Sequence, residues 1–284
     1  MKKINQIIRK ADIGLVVLSS QAYKELWPIF FKSWNKYFKN IKIKKYVISA
    51  EENYFNNKYD FQVVSGDKMT INSSWSLRIK KGLKKIKHKN LFFTTEDMIF
   101  YKSGNFHLIK EFFEFYKINS PKYLRSSPIP PVLNNRTSHK FVNEPSWALH
   151  QITLQPALIN RNFLIKNLNN KENSRDFEER ISYINRNNKK IFSSKIEILP
   201  YKEIVIGGKI IRDGYSFFKN LKLQYPKKIK QMSIYEDLKF KVFKEFKFWI
   251  FYKLPINLIK FLIINDIVGY KKKICKKIIK LADK

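Results

Sequence analysis

The chain has 284 residues, and its 57 Lys and Arg residues against 23 Asp and Glu residues give a formal net charge of +34, which indicates affinity for polyanions. With 44% hydrophobic and 15% aromatic residues, the composition excludes an intrinsically disordered protein, and the length allows one α/β domain with an appendage. The single cysteine, Cys275, excludes a disulfide framework and a multi-cysteine metal site, so a reducing, cytosolic setting is expected.

Strand and helix signals alternate in the first hundred residues. Apolar runs predict strands at Ile13–Leu18, Lys45–Ser49 and Phe61–Val64, and aromatic residues at helical spacing predict a helix over Tyr23–Phe38. The first apolar run has only six residues, so it is interpreted as a strand and not as a signal peptide; no run is long enough to predict a transmembrane helix. The alternation predicts an α/β fold with a mixed, mostly parallel sheet flanked by helices.

A basic amphipathic helix is predicted after Ser74, which is suited to cap it. Four apolar residues at helical spacing form one face: Trp75, Ile79, Leu83 and Ile86. Arg78 lies at the border of this face, near the predicted sheet. It is either a fixed cation for a nucleotide phosphate or one more solvated charge.

Two carboxylates interrupt the apolar run that follows, Leu91–Phe100. Glu96 and Asp97 come where a buried strand ends, and the carboxyl edge of an open α/β sheet is where such folds bind ligands. Carboxylate oxygens suit Mg²⁺ or Mn²⁺, which typically bridge protein carboxylates to substrate phosphates. The alternative is a turn whose acids cap the next element.

The middle of the chain, to about residue 225, is less regular. Prolines predict a loop at Ser126–Pro131, Trp147–Pro156 is expected to be partly extended, and acidic residues in a first turn predict a helix at Asp176–Ile181. Ile204–Lys209 is expected to form a strand that ends in a flexible turn. His150 is the histidine expected to face a cleft; the four histidines have no metal-ligand spacing, and the common nucleotide, metalloprotease and hydrolase motifs are absent.

From Pro226 lysines alternate with aromatic residues, which predicts a boundary between a domain at 1–225 and a basic helical extension at 226–284. A helical stripe is formed by Phe243, Phe246, Trp249 and Ile250, and lysines crowd the end of the chain at 271–273, 276 and 277. A basic amphipathic helix of this kind fits an anionic membrane surface. The alternative is a helical pair that packs on the domain and keeps its lysines in water.

The order of these segments resembles a group of bacterial GT-A type glycosyltransferase-like proteins associated with surface-polysaccharide synthesis. The family pattern has a VVLSxDxY strand, a WSxRLxxAL helix, a strand ending in D/E-D-x-F, an SLQxALW segment and a W-x-FE motif. The matching segments are Val16–Tyr23, Trp75–Ile79, Glu96–Phe100, Thr153–Ile159 and Asp176–Glu178. The chain departs from the pattern at Gln21, where an Asp is common, at Thr95, where a DxD motif has its first Asp, and at Asp176, where an aromatic residue is usual.

The resemblance implies a GT-A-like, Rossmann-like fold and transfer of a sugar from a nucleotide-sugar donor to a glycan or lipid-linked glycan acceptor. It implies Mn²⁺ or Mg²⁺ held by Asp97 and Glu96, with Glu178, or second Asp176, as the base that accepts the acceptor's proton. Capping of a helix is the alternative role of Glu178. Further donor contacts are expected from Ser19, Arg78 and Lys209, and acceptor contacts from His150 and Gln155.

Two other classes of function remain open. A non-catalytic membrane-surface or assembly protein would keep the fold and the basic extension but have no activity. A nucleic-acid-binding protein would explain the charge and would bind RNA with an affinity that falls steeply with salt, although the acidic strand end would repel phosphate unless a metal intervened. The expected location is the cytoplasm, peripheral at the inner face of the membrane.

Overall fold

A computed structural model describes residues 1–50, 54–65, 74–133, 138–148 and 150–264. Within these ranges the helices are α1 Lys2–Lys10, a 3₁₀ helix Gln21–Leu26, α2 Trp27–Phe38, α3 Trp75–Lys85, α4 Phe106–Asn119, α5 Arg161–Asn167, α6 Ser174–Ile184, α7 Gly214–Asn220, α8 Ile234–Lys253 and α9 Ile256–Ile264. The strands are β1 Ile13–Leu18, β2 Lys45–Ser49, β3 Tyr54–Asn56, β4 Phe61–Ser65, β5 Asn90–Thr95, β6 Met98–Phe100, β7 Tyr123–Arg125, β8 Phe141–Val142, β9 Ala157–Asn160, β10 Ile191–Ser194, β11 Tyr201–Glu203, β12 Val205–Ile206 and β13 Lys209–Ile210.

Nine strands form one central sheet in the order β3-β4-β2-β1-β5-β9-β7-β10-β8. The strands from β4 through β5 are parallel to one another, and β9 runs antiparallel between β5 and β7. Apolar residues alternate between two clusters, with Leu15 and Val17 in one and Val16 and Leu18 in the other, so both faces of β1 are buried. The predicted α/β fold with a mixed, mostly parallel sheet flanked by helices is confirmed.

The connections of the sheet create a ligand crevice at one place. From β1 the chain continues to β2 and β4 on one side, and it then crosses back to β5 on the other side of β1. Leu18 pairs with Thr95, so these two parallel strands end at the same level. The connection from β1 leads to one side of this strand, and the later connection from β4 to β5 leads to its other side. The crevice outside the carboxyl ends of β1 and β5 is therefore at the position where open α/β sheets bind ligands.

Several elements differ from the predictions in ways that have physical causes. The helix predicted over Tyr23–Phe38 begins as a 3₁₀ helix, and α2 starts at Trp27 because Pro28 favours the first turn of a helix. The run at Leu91–Phe100 divides into β5 and β6, with both acids in the turn between them. The strand predicted at Ile204–Lys209 is a hairpin, β12 and β13, whose turn residues Gly207 and Gly208 both have positive φ.

The basic extension is partly described. It contains α8 and α9, but the side chains of Phe246, Trp249 and Ile250 and the lysines of residues 271–277 lie outside the described residues. In the part of the chain that the structure covers, every helix is too short or too polar to span a bilayer.

Candidate active site

A cleft of about 470 Å³ opens at the carboxyl ends of β1 and β5, and we call it the acidic cleft. Six residues that the sequence analysis singled out line it: Ser19, Glu96, Asp97, His150, Gln155 and Glu178. They come from segments far apart in the chain, and the parallel pairing of β1 with β5 is what brings the first three together.

The turn after β5 holds two carboxyl groups, of which Glu96 is buried and Asp97 is partly buried. Glu96 is only 4% exposed, and its Oε1 accepts a hydrogen bond from the backbone N–H of Ser20 at 3.5 Å. Asp97 Oδ1 accepts from the hydroxyl of Thr95 at 2.5 Å. Burial, and then the charge of Asp97, raise the pKa of Glu96 to about 8, and burial raises the pKa of Asp97 as well. The acids precede the strand β6 and no helix, so capping of the next element does not explain them.

This donor set fits a divalent ion that is shared with a phosphorylated ligand. In the residues that the structure describes, no three acidic, His or Cys side chains come together to hold a metal alone. Mg²⁺ commonly takes only one or two protein carboxylates and completes its shell with substrate phosphates and water. The raised pKa values of Glu96 and Asp97 also mean that a bound cation would relieve the cost of ionising both.

Glu178 lies in the same cleft and is held by a different element. It belongs to α6, and its Oε1 accepts a hydrogen bond from the backbone N–H of Leu154 at 2.6 Å. Burial raises its pKa to about 7, and the charge of Asp97 adds to the increase. The helix is capped by another residue, Asn173, whose Oδ1 accepts from the backbone N–H of Asp176 at 2.9 Å. Glu178 is therefore not needed as the cap.

Asp176 and Lys209, which were also predicted to act here, are not among the residues lining the acidic cleft. The carboxylate of Asp176 accepts a hydrogen bond from the Asn173 amide at 2.8 Å, next to the cap. Lys209 is on β13, where its ammonium group pairs with Glu236 Oε1 at 2.5 Å. It lines a separate groove beside α8.

Arg78 is buried on α3 and is not a solvated charge of the helix surface. Burial lowers the pKa of its guanidinium group, and the nearby charge of Glu96 opposes that effect. Its Nε atom is buried without a hydrogen-bond partner. Arg78 thus provides a fixed positive charge close to the acid pair, although it does not line the cleft itself.

The remaining predicted residues differ in how they are held. The hydroxyl of Ser19 accepts a hydrogen bond from the indole N–H of Trp27 at 2.7 Å, which fixes it at the end of β1. Gln155 lines the cleft with a buried Oε1 that has no hydrogen-bond partner. His150 has φ of 54°, and its carbonyl accepts from buried Arg125 at 3.3 Å.

Sequence reasoning missed several residues of the cleft wall: Tyr23, Trp75, Glu203, Gly207 and Gly208. Burial and the charges of Glu96 and Asp97 raise the pKa of the Tyr23 hydroxyl, which places it in the field of the acid pair. Tyr23 and Trp75 lie in the segments that resemble the family pattern, and that resemblance is the feature of the sequence that could have identified them. Glu203 gave no signal and the glycines indicated only a turn, because the β11–β13 region of the fold is what brings these residues to the cleft.

The wall of the cleft is acidic in a strongly basic protein. Four carboxylates line it, Glu96, Asp97, Glu178 and Glu203, and among the residues described by the structure no Lys or Arg does.

No protein-family model matches the chain, and no curated protein matches it either.

Proposed function

We propose that the protein is a glycosyltransferase that moves a sugar from a nucleotide-sugar donor to a glycan or lipid-linked glycan acceptor in cell-surface polysaccharide synthesis. The observation that supports this best is that the acid pair Glu96 and Asp97 shares one cleft with Glu178, at the switch point of the sheet. The side with Glu96 and Asp97 suits a diphosphate with its cation, and the side with Glu178 suits proton abstraction from an acceptor.

The donor side needs positive charge, because a nucleoside diphosphate is an anion and the described cleft wall has only carboxylates as formal charges. Asp97 and Glu96 would hold Mn²⁺ or Mg²⁺, which supplies Lewis-acid stabilisation of the leaving diphosphate. Arg78 adds a fixed positive charge near Glu96. Ser19 and Ser20 end β1 beside the acids, and the backbone N–H of Ser20 keeps the Glu96 carboxylate turned toward β1.

On the acceptor side Glu178 serves as the base of an inverting transfer. The acceptor oxygen forms a bond to the anomeric carbon, its proton passes to the Glu178 carboxylate, and the bond from the anomeric carbon to the diphosphate oxygen breaks with its electrons going to the diphosphate. A pKa of about 7 suits this role, since a general base works best when its pKa is near the operating pH. The hydrogen bond from Leu154 fixes the carboxylate's orientation.

Gln155 and His150 are placed to bind the acceptor. The buried Oε1 of Gln155 has no donor within the protein, and a sugar hydroxyl is a suitable donor for it. His150 lines the same cleft, and the bond from Arg125 to its carbonyl holds the backbone of that residue in place. These two residues would orient the acceptor hydroxyl toward Glu178.

The two alternatives predict different behaviour. A non-catalytic relative would bind a nucleotide sugar without turnover, and the departure at Thr95 from a DxD motif is the feature that favours it. A nucleic-acid-binding protein would bind on its basic surface, because the four carboxylates of the acidic cleft repel phosphate.

A cytoplasmic location, peripheral at the inner face of the membrane, is part of the proposal. Residues 226–284 contain sixteen lysines and five acidic residues, and anionic lipid attracts such segments by about 1 kcal/mol per lysine near the surface.

The test is a panel of nucleotide sugars, each added with Mn²⁺ or with a chelator, while thermal unfolding and release of free nucleotide are measured. The proposal expects at least one donor to raise the melting temperature only with Mn²⁺ and to be slowly hydrolysed. Stabilisation without any turnover, when acceptor sugars are also supplied, would favour the non-catalytic alternative. Stabilisation by RNA alone, with no response to any donor, would contradict the proposal.

A further inference from the structure

The first half of α8 packs on the domain with charged side chains. Asp237 is 4% exposed and accepts a hydrogen bond from the backbone N–H of Arg212 at 3.0 Å. Lys241 bridges Asp237 at 2.9 Å and Asp213 at 3.2 Å. Glu236 pairs with Lys209. These contacts fix the orientation of the helix through its polar face.

The opposite face of α8 is apolar and points outward. Its large exposed side chains are Ile234 at 68%, Tyr235 at 74%, Leu238 at 59%, Val242 at 60% and Phe243 at 55%, and we call this set the α8 apolar face. A helix that packs on its own domain normally buries its apolar stripe and exposes its charges. Here the buried anchor of the first half is a charged residue, Asp237, while large apolar side chains are exposed, and such an exposed apolar surface marks an interaction site.

The α8 apolar face adjoins the acidic cleft. A shallow apolar groove of about 930 Å³ lies along it, and Gly207 lines both this groove and the cleft. Lys209, Glu236 and Lys239 also line the groove, and because Lys209 is paired with Glu236, Lys239 is the lysine that adds positive charge beside the apolar residues. Apolar side chains next to lysines match the acyl region and the anionic headgroups of a phospholipid bilayer.

We propose that the α8 apolar face docks on an anionic phospholipid bilayer and that it brings the mouth of the acidic cleft at Gly207 to the membrane surface. This inference rests on the proposed function, and it means that the acceptor is lipid-linked and enters the acidic cleft from the side of α8. The face differs from the stripe that the sequence analysis predicted. Of that stripe it shares Phe243, and it adds residues at the start of the helix that the sequence pattern did not single out.

The experiment is flotation of the full chain with vesicles of phosphatidylcholine, with and without phosphatidylglycerol, at low and high salt. The double variant Leu238→Glu with Val242→Glu keeps the anchoring residues and makes the face acidic. Ile118→Glu is the matched control, because Ile118 is an exposed apolar residue, 77% exposed, at the end of α4. We expect wild type and control to float with anionic vesicles, and the vesicle-bound fraction of the double variant to be more than tenfold lower than that of the wild type.

Other occupants of the face would give other results. No flotation of the wild type would overturn the proposal, as would equal flotation of the double variant. A wild-type dimer that becomes a monomer in the double variant, without vesicle binding, would show that a second copy covers the face. Donor-induced thermal stabilisation with Mn²⁺ is measured on the same proteins. If it persists while flotation is absent, only the docking proposal fails; if it is absent while wild type floats, only the proposed function fails.

Discussion

The acidic cleft and the α8 apolar face each reverse the character expected of their position. The cleft gathers four carboxylates in a protein of net charge +34, and burial raises the pKa of three of them, Glu96, Asp97 and Glu178. The α8 apolar face exposes large apolar side chains, while Asp237 and Lys241 of the same helix contact the domain. Both arrangements cost stability, and natural proteins retain such costs mainly at functional sites. The contrast supports the proposals that the cleft carries the chemistry and that α8 carries the association.

The largest expected effect separates Glu178 from Asp176, the two residues of α6 that were predicted to act as the base. Glu178→Gln should lower turnover by about 10² to 10⁴, because the amide cannot accept the acceptor's proton. Donor binding should change little. Asp176→Asn is the control, since Asp176 is bonded to Asn173 and does not line the cleft. Steady-state kinetics on both variants decide this, and full turnover by Glu178→Gln with loss in Asp176→Asn would reverse the assignment.

The pH dependence of the wild type should follow Glu178. Its raised pKa of about 7 means that the carboxylate is protonated below that pH and cannot act as a base. At saturating Mn²⁺, which keeps Glu96 and Asp97 ionised, we therefore expect kcat/KM to fall about tenfold for each pH unit below about 7 and to be level above it. In Glu178→Gln the residual rate should lack this limb. An acid limb that persists unchanged in the variant would assign it to another group.

The acid pair should lower stability at neutral and higher pH. The pKa of Glu96 is raised from an ordinary value of 4.5 to about 8, so the folded state holds a proton that the unfolded state releases. Stability is unaffected below about pH 4 and declines as the pH rises toward 8. With chelator present, Glu96→Gln should raise the free energy of unfolding by about 2 kcal/mol at pH 8 and not at pH 4. Urea unfolding at both pH values measures it; equal stability at pH 8 would mean that Glu96 is better solvated.

The smallest effect is expected at Lys209. Because its ammonium group pairs with Glu236 and lies outside the cleft wall, Lys209→Gln should change donor affinity by no more than about twofold. Arg78→Gln gives the comparison, since Arg78 is buried beside Glu96 and its loss should weaken donor binding about tenfold. Calorimetric titration with donor and Mn²⁺ ranks the two. A larger loss at Lys209 would move the donor site toward α8.

The sequence predicted the parts of the cleft that depend on short-range patterns. The apolar runs of β1, β2 and β5 and the acids that end β5 are local features, and parallel pairing then brings strand ends together. The hairpin that brings Gly207 to the cleft could not be predicted in the same way. Its strands β12 and β13 have two residues each, which is too few to show a period.

Two helices show the same limit. The nine residues of α1 bury Ile4, Ile7 and Ile8, but this short amphipathic segment was not predicted. For α8 an apolar stripe indicates amphipathicity and leaves open which face meets the domain. The contacts of Asp237 with Arg212 and of Lys241 with Asp213 decide it, and they join residues that only the fold brings together.

We propose that Asp97 and a divalent ion hold the donor's diphosphate. Calorimetric titration of a responding nucleotide sugar into wild type and into Asp97→Asn is the direct test of this proposal. The substitution is nearly isosteric and removes the charge that attracts the cation. We expect Mn²⁺-dependent binding to the wild type, a loss of affinity of at least about 100-fold in the variant, and a melting temperature without ligand that is no lower than that of the wild type. Unaltered Mn²⁺-dependent binding by Asp97→Asn would contradict the account.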